Sequence, residues 1–383
     1  MTSSIEILGR LIAEPTVSLR SNLDLIGYVQ EFLARYGVAS RLVHDETGKR
    51  ANLHAVIGPQ DVPGVMLSGH TDVVPVEGQD WSHDPFAMVE RDGRLYGRGT
   101  ADMKGFLACV MALVPAAVER RLARPIHIAF SYDEELGCIG VRRLIDVMAE
   151  MPVKPAFCIV GEPTSLDVAI GHKGKTGGHI ACHGLECHSS LAPTGVNAIY
   201  MAADMIAAIR TLQEEVSRTG ARDEAYDIPY TTLHVGTIEG GTALNIVPSL
   251  CRLAFEIRNV SGDDPQALLD RLRDEADRIV AGVRERHPAA AIDIEIDNAY
   301  PGLDTDPDAE IVSFVKSLTG RNSHLKVPFG TEGGLFQQRL HVPTVVCGPG
   351  DIAQAHKPDE FIAVDQMARC DVFLAALLDR LSE

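Results

Sequence analysis

The sequence has no Cys-x-x-Cys pair, no long uninterrupted apolar run and a shortage of basic residues. Each absence removes a class of function. The eight cysteines (Cys109, Cys138, Cys158, Cys182, Cys187, Cys251, Cys347 and Cys370) are scattered, and several sit inside apolar runs. That placement suits reduced core thiols, not a disulfide framework or a thiolate zinc site. Any metal is therefore expected on imidazole and carboxylate. The longest apolar stretch, 106–118, is interrupted by Pro115 and falls short of the roughly 20 residues that span a bilayer. Residues 1–20 show no basic start followed by an apolar run, so no secretory signal is expected. The reading is a soluble, cytoplasmic chain without a membrane partner. Lys and Arg number 35 against 53 Asp and Glu, a formal net charge of −18. A polyanion repels phosphate backbones, which argues against nucleic acid as a partner.

What is present is a chain of 383 residues, 45% hydrophobic and 23% charged, long enough for two domains with a sizeable core. Asn22 is placed to cap a helix whose apolar positions Ile26, Val29, Leu33 and Tyr36 follow helical spacing, with Gly37 ending it. Strand-like runs follow at 53–57 and 65–68, and the Gly-rich segment 93–104 leads into a helix through Val118. A strand at 126–131, a helix at 141–151 and a strand at 156–160 continue the alternation, which predicts an α/β layer with a largely parallel sheet. After Gly174 the pattern changes to strand 179–182, helix 197–212, strands 231–238 and 249–258, helix 265–284 and strand 291–297. That β-α-β-β-α-β order predicts a small ferredoxin-like domain. Helix 308–318, strand 344–347 and helix 364–381 complete the chain. The predicted organisation is an α/β domain in two pieces, 1–173 and 299–383, interrupted by an α+β domain at 174–298.

Four polar clusters each follow a strand: Gly69-His70-Thr71-Asp72, Asp133-Glu134-Glu135, Gly161-Glu162-Pro163-Thr164 and the run from Gln354 through His356 to Glu360. A fifth, 97–105, precedes a helix and contains Asp102. Ligands of open α/β sheets collect at the carboxyl ends of strands, so these distant loops are expected to converge. Imidazole and carboxylate are zinc donors, and a carboxylate two residues from a ligating histidine is placed to orient the ring. Adjacent Glu134 and Glu135 suggest a division of labour, one binding metal and one moving protons. Singly, a strand-end histidine is more often part of a core, and paired glutamates more often form a solvated face. Their joint occurrence in this order is what favours a metal site.

Taken together, His70-Thr71-Asp72, the run 97–105, Glu134-Glu135, Gly161-Glu162-Pro163-Thr164 and Ala355-His356-Lys357-Pro358-Asp359-Glu360 resemble the motif set of the M20 metallopeptidases. The match is nearest to the acetylornithine deacetylase and succinyl-diaminopimelate desuccinylase branch, on the deacetylase side. The resemblance implies a zinc-peptidase-like catalytic domain interrupted by a lid and dimerisation domain, hence a homodimer. It implies two divalent ions, Zn2+ foremost, with Co2+ or Mn2+ accepted by the same donors. His70, Asp102 and Glu162 would hold one ion, and Asp102, Glu135 and His356 the other, with a cis peptide after Asp102. Glu134 would be the general base and Asp72 the partner of His70. In Cys187-His188-Ser189-Ser190, His188 would stabilise the oxyanion in the partner subunit's site. Asn245 and Arg258 would hold substrate, the arginine fork suiting an α-carboxylate.

The run Pro328-Phe329-Gly330-Thr331-Glu332-Gly333-Gly334 resembles the Gly-Thr-Glu loop of acetylornithine deacetylases. Thr331 and Glu332 are therefore expected at the substrate, with Glu332 facing the δ-ammonium of ornithine; the other reading of Glu332 is a solvated loop acid. The implied reaction is N-acetyl-L-ornithine to L-ornithine and acetate, a step of arginine biosynthesis. A desuccinylase, a broad N-acylamino-acid hydrolase and a dipeptidase use the same kind of site and stay open, whereas a non-catalytic metal-binding or scaffold protein would not keep every ligand and the base. The strand before His188, residues 181–187, is richer in Cys, His and acid than the usual small, apolar lid strand.

Overall fold

Four strands buried along their whole length form the middle of the larger sheet: Val65–His70, Ile126–Ser131, Phe157–Pro163 and Thr344–Gly348. Continuous burial is what a parallel strand covered by helices on both faces requires, and it explains why these runs are apolar without alternation. In the computed structural model, which describes residues 2–382, they run parallel in the order Ile126–Ser131, Val65–His70, Phe157–Pro163, Thr344–Gly348. Antiparallel neighbours add Ala51–Ile57 and Ser40–His44 at one side and Val168–His172 and Leu303–Asp304 at the other, and His324–Val327, parallel to Val168–His172, makes nine strands. The result is a mixed α/β sheet with a mainly parallel centre. The unit it belongs to ends at His172 and resumes at Leu303.

The helix Gly105–Glu119 packs against Ser4–Ile12 and Val364–Leu381 and carries Pro115 inside it. With the preceding turn it forms a run, Thr100–Glu119, of 20 residues with mean hydropathy 1.6. By length and composition that run is able to cross a membrane, contrary to the estimate from 106–118 alone; here most of it is buried in the core. Leu23–Arg35 is helical with Leu25, Ile26, Val29, Phe32 and Leu33 buried, but Asn22 does not cap it. Its amide donates instead to Ala51 O (2.9 Å) and Thr71 Oγ1 (3.0 Å), and its oxygen accepts from Ala51 N (2.9 Å). Tertiary partners outbid the local cap. The helix Ser4–Ile12, absent from the periodicity reading, starts with a capping box between Ser3 and Glu6.

The second unit, Lys173–Gly302, has an antiparallel sheet in the order Thr232–Gly240, Leu250–Asn259, Gly174–His183, Ala291–Tyr300. Burial alternates along Gly174–His183 and Leu250–Asn259, the signature of a sheet covered on one face. The helices Ala198–Thr219 and Pro265–Arg284 supply that cover, with Met205, Ile209, Leu269 and Leu272 meeting Ile180, Leu253 and Phe255. The element order is β-α-β-β-α-β. Its last strand runs to Tyr300, not Asp297, because a bulge between Ile296 and Asn298 lets pairing resume against Gly177–Lys175. All eight cysteines are free thiols.

One buried pair links pH to the stability of the larger unit. His54 and His127 face each other across neighbouring strands, Nε2 to Nδ1 at 3.3 Å, with rings stacked. Burial lowers both to about 4, with Arg41 adding to the effect at His54 and His54 adding to it at His127. Both folded values lie below the unfolded value near 6.5. The unfolded chain therefore binds more protons between about pH 6.5 and 4, and stability present above that window is lost as pH falls through it. Urea unfolding is expected to show a loss of up to about 1.4 kcal/mol per pH unit per histidine within the window. A His54→Phe, His127→Leu chain should show a shallower slope; an unchanged slope would exclude the pair as its source.

Candidate metal centre

Because the four central strands are parallel, their carboxyl ends share one edge. His70 is the last residue of its strand, and Glu162 is the penultimate residue of Phe157–Pro163. Glu134 and Glu135 follow Ile126–Ser131, and His356 lies in the segment after Thr344–Gly348. Asp102 comes from the turn Thr100–Lys104, where the Asp102–Met103 peptide is cis. Glycine beside two of these ligands permits the helix behind them to come close. A Cβ on Gly161 would stand 2.0 Å from the Phe106 ring, and one on Gly69 would stand 2.6 Å from Met103 Cε.

Two groups of donors result, His70 with Asp102 and Glu162, and Asp102 with Glu135 and His356. His70 Nε2 is 3.0 Å from Asp102 Oδ1 and 3.6 Å from Glu162 Oε1. His356 Nε2 is 3.3 Å from Asp102 Oδ2 and 3.0 Å from Glu135 Oε2. Asp102 thus presents one oxygen to each group. The first group is buried, whereas the His356 side chain is half exposed.

Asp72 orients its neighbours mainly through groups the sequence reading did not single out. Its backbone carbonyl, 2.9 Å from His70 Nδ1, is closer than its carboxylate at 3.5 Å. With Nδ1–H donated to that carbonyl, Nε2 of the neutral ring points its lone pair at Asp102 and Glu162. The Asp72 carboxylate accepts from Ser18 Oγ (2.8 Å), Glu134 N (3.0 Å) and Glu135 N (3.4 Å). It therefore holds the backbone of both glutamates. The Cys138 thiol donates to Glu134 Oε1 at 3.3 Å.

The charge balance of the cluster calls for cations. Burial pushes Glu134 and Glu162 well above the usual carboxylate range, with neighbouring carboxylates adding to it and His70 opposing. Burial also raises Glu135 to about 7, with Asp102 contributing in the same direction. Burial disfavours a charged His70, yet hydrogen bonds to Asp102 and Asp72 and the charge of Glu162 hold a proton there. Hydrogen bonds to Asp102 and Glu135 raise His356 to about 10. Protons are thus drawn to positions that a divalent ion would take, and metal binding to such donors releases them. Nitrogen and oxygen donors, one of them shared, fit two zinc-like ions.

The remaining expected residues fall in different places. Thr331 is fully buried, and its hydroxyl accepts from Gly333 N at 3.0 Å. Glu332 is 1% exposed, which corrects the solvated-loop reading. Ser68 Oγ donates to its Oε2 (3.2 Å) and Ser131 Oγ donates to its Oε1, so each oxygen is anchored by a strand hydroxyl. Both serines belong to strands that end in the site, a connection invisible in the sequence. In the second unit His188 and Asn245 are brought together, since Ser189 N donates to Asn245 O (2.9 Å) and His188 bridges to Ile246. His188 Nδ1 accepts from Ser190 N (3.2 Å), which leaves Nε2–H as the outward donor of the neutral ring. Arg258 is engaged by Glu256, Nε to Oε1 at 2.7 Å and NH2 to Oε2 at 3.3 Å, and by the Tyr300 hydroxyl at 3.2 Å.

Residues 66–380 match Peptidase family M20/M25/M40. Acetylornithine deacetylase of Shigella sonnei is 36% identical over 365 residues, 94% of this chain and 92% of that protein. Among solved structures, an M20 family metallo-carboxypeptidase of Sulfolobus solfataricus superposes with TM-score 0.78 at 19% identity, covering 100% of this chain and 99% of that one. A dinuclear metal-binding peptidase of the M20 family from Bacillus subtilis gives TM-score 0.69 at 16% identity, with 99% and 97% covered.

After chelation and zinc return, elemental analysis is expected to find two ions per chain. Glu162→Ala should retain about one, and Asp102→Ala should lose both. Two ions retained by Asp102→Ala would refute its sharing.

Proposed function

Since the chain belongs to Peptidase family M20/M25/M40, a family of dinuclear metal hydrolases, we propose that it removes the acyl group from a small N-acylated amino acid, N-acetyl-L-ornithine foremost. The observation that carries this reading is the shared Asp102 between two donor groups with Glu134 beside them. Likeness to acetylornithine deacetylase over nearly the whole chain supports the choice of substrate. Two divalent ions, zinc in the first instance, supply a Lewis acid for the acyl carbonyl and a water made nucleophilic near neutral pH.

The protein's own groups do the rest. Glu134 takes the proton of the attacking water and returns it to the leaving amine, acting as base and then as acid. Its backbone is fixed by Asp72 and its Oε1 by Cys138. His188, whose Nδ1 is occupied by Ser190 N, serves through Nε2 as oxyanion donor in the partner subunit's site. Asn245 adjoins it and holds substrate. Arg258 receives the substrate α-carboxylate, which takes over the place Glu256 holds on the guanidinium. With Glu332 anchored by two serine hydroxyls, its influence on a basic side chain is electrostatic. The free thiols fit a reducing cytoplasm.

A homodimer through the second unit fits its surface. Among the described residues the strand Thr232–Gly240 pairs only with Leu250–Asn259, leaving one edge open, and Leu191, Tyr200, Ile238, Leu244 and Ile246 of the same unit are exposed. Open apolar edges invite pairing with a second copy. Ile238→Glu with Leu244→Glu is expected to halve the mass in sedimentation; an unchanged mass would reject this interface.

Hydrolysis of N-acetyl-ornithine, N-succinyl-diaminopimelate and N-acetyl-methionine, before and after chelation with zinc added back, tests the activity. Zinc-restored turnover favouring acetyl-ornithine is expected. Equal rates on acetyl-methionine would replace the ornithine reading by a broad acylase, and preference for the succinyl substrate by a desuccinylase. Glu134→Gln should lower turnover by about 10²–10⁴-fold with metal content intact; retained activity would remove Glu134 from its role.

A further inference from the structure

A buried ion pair behind the site joins two loops that are far apart in sequence. Arg98 and Glu360 are each 1% exposed, with NH1 2.8 Å from Oε2. Glu360 accepts three backbone N–H groups of the turn that carries Asp102, from Gly99 (3.0 Å), Ala101 (2.9 Å) and Asp102 itself (3.1 Å). Arg98 reaches the other way. Its NH1 donates to Lys357 O (3.3 Å), and its NH2 donates to Gln79 Oε1 (2.5 Å). Gln79 Nε2 in turn donates to His356 O at 3.0 Å. Ser82 adds a further tie, its N and Oγ donating to Asp359 Oδ1 at 2.9 and 3.0 Å.

The two donor groups depend on this assembly unequally. His70 and Glu162 belong to fully buried strands whose hydrogen bonding fixes them independently. His356 lies on an irregular segment, with φ of 61° and a half-exposed side chain. Its backbone carbonyl is fixed by Gln79, and the next residue's by Arg98. We propose that Gln79 and Arg98 are positioning residues that hold the His356 segment, and so control occupancy of the Asp102–Glu135–His356 group while leaving the His70–Asp102–Glu162 group nearly unaffected, whereas Glu360, which holds the turn of the shared Asp102, serves both groups. The inference rests on the two-ion reading and adds a hierarchy to it: one group is built by the sheet, the other by the clamp. The only tryptophan, Trp81, lies in the clamp, its ring 5.0 Å from the Arg98 guanidinium carbon and its N–H donating to Gln79 Oε1 (3.1 Å). Its emission therefore reports on the clamp directly.

Co2+ titration of the metal-free full chain, followed by calorimetry, visible absorption and Trp81 emission, tests this. Gln79→Leu changes a half-buried side chain and leaves the Arg98–Glu360 pair in place; Glu360→Gln keeps the shape while removing the charge. In the unsubstituted chain two binding steps are expected, with the emission change accompanying the weaker one. Gln79→Leu should weaken that step by about 10–100-fold, the usual effect of losing a partner behind a ligand, and shift the tighter step by less than about threefold, whereas Glu360→Gln should weaken both steps. The emission change should fall with the weaker step. Equal weakening of both steps by Gln79→Leu, or of neither, in a chain that still unfolds cooperatively would overturn the clamp and leave the two-ion reading standing. Fewer than two Co2+ bound by the unsubstituted chain would overturn both. Should Glu360→Gln fail to fold, Gln79→Leu alone decides between these outcomes.

Discussion

Six carboxylates, from Asp72, Asp102, Glu134, Glu135, Glu162 and Glu332, are drawn out of water at one edge of a parallel sheet, and much of the surrounding structure answers to that constraint. Two like charges about 4 Å apart repel by roughly 4 kcal/mol at the effective dielectric of a protein. Different devices relieve the repulsion. Asp72 is absorbed by backbone N–H groups and Ser18, and Glu332 by Ser68 and Ser131. Two imidazoles face the others. Glu360, one layer behind, has Arg98 and three N–H groups. What hydrogen bonds leave uncompensated lies around Asp102, where the two donor groups could hold cations that complete the balance.

The same constraint separates what could be read from the sequence from what could not. Strand-end residues such as His70 and Glu162 were legible because an apolar strand followed by polar residues marks both the strand and the edge where it stops. The run around His356 stood out for the same reason, and that around Asp102 because a Gly-rich stretch leads into a helix. Asn22 was misread because its local context is that of a cap, while its partners Ala51 and Thr71 come from strands that only tertiary folding brings near. For Glu332 the alternative of a solvated loop acid fell for a reason with no local signal: the serines that bury it stand 264 and 201 residues away. The first helix was missed although Ser3 and Glu6 carry its capping signal, because nine residues offer little periodicity to detect. The pairing of Arg98 with Glu360 had no local signal at all.

Fold and substrate are set by different parts of the chain. The sheet edge determines that an amide can be attacked, and its geometry is a property of strand order. The groups proposed to select the substrate, His188, Asn245 and Arg258, belong instead to the second unit and are exposed or partly exposed. Arg258 shows the distinction well: its guanidinium is already paired with Glu256, so the proposed recognition of a carboxylate would be an exchange of partners, with a smaller net gain than that of a free arginine.

The interrupted larger unit also constrains the order in which the protein can be completed during synthesis. The strand Thr344–Gly348 lies between Phe157–Pro163 and Val168–His172, both of which leave the ribosome some 180 residues before it. Until then the nascent sheet has a gap with hydrogen-bonding edges on both sides, the arrangement most prone to mispairing with other chains. The second unit, with its own core, is translated entirely within that interval and is able to fold while the gap waits. The catalytic edge is therefore among the last features to form, and a chain truncated before His356 would have a nearly complete set of strands without the means to finish the site.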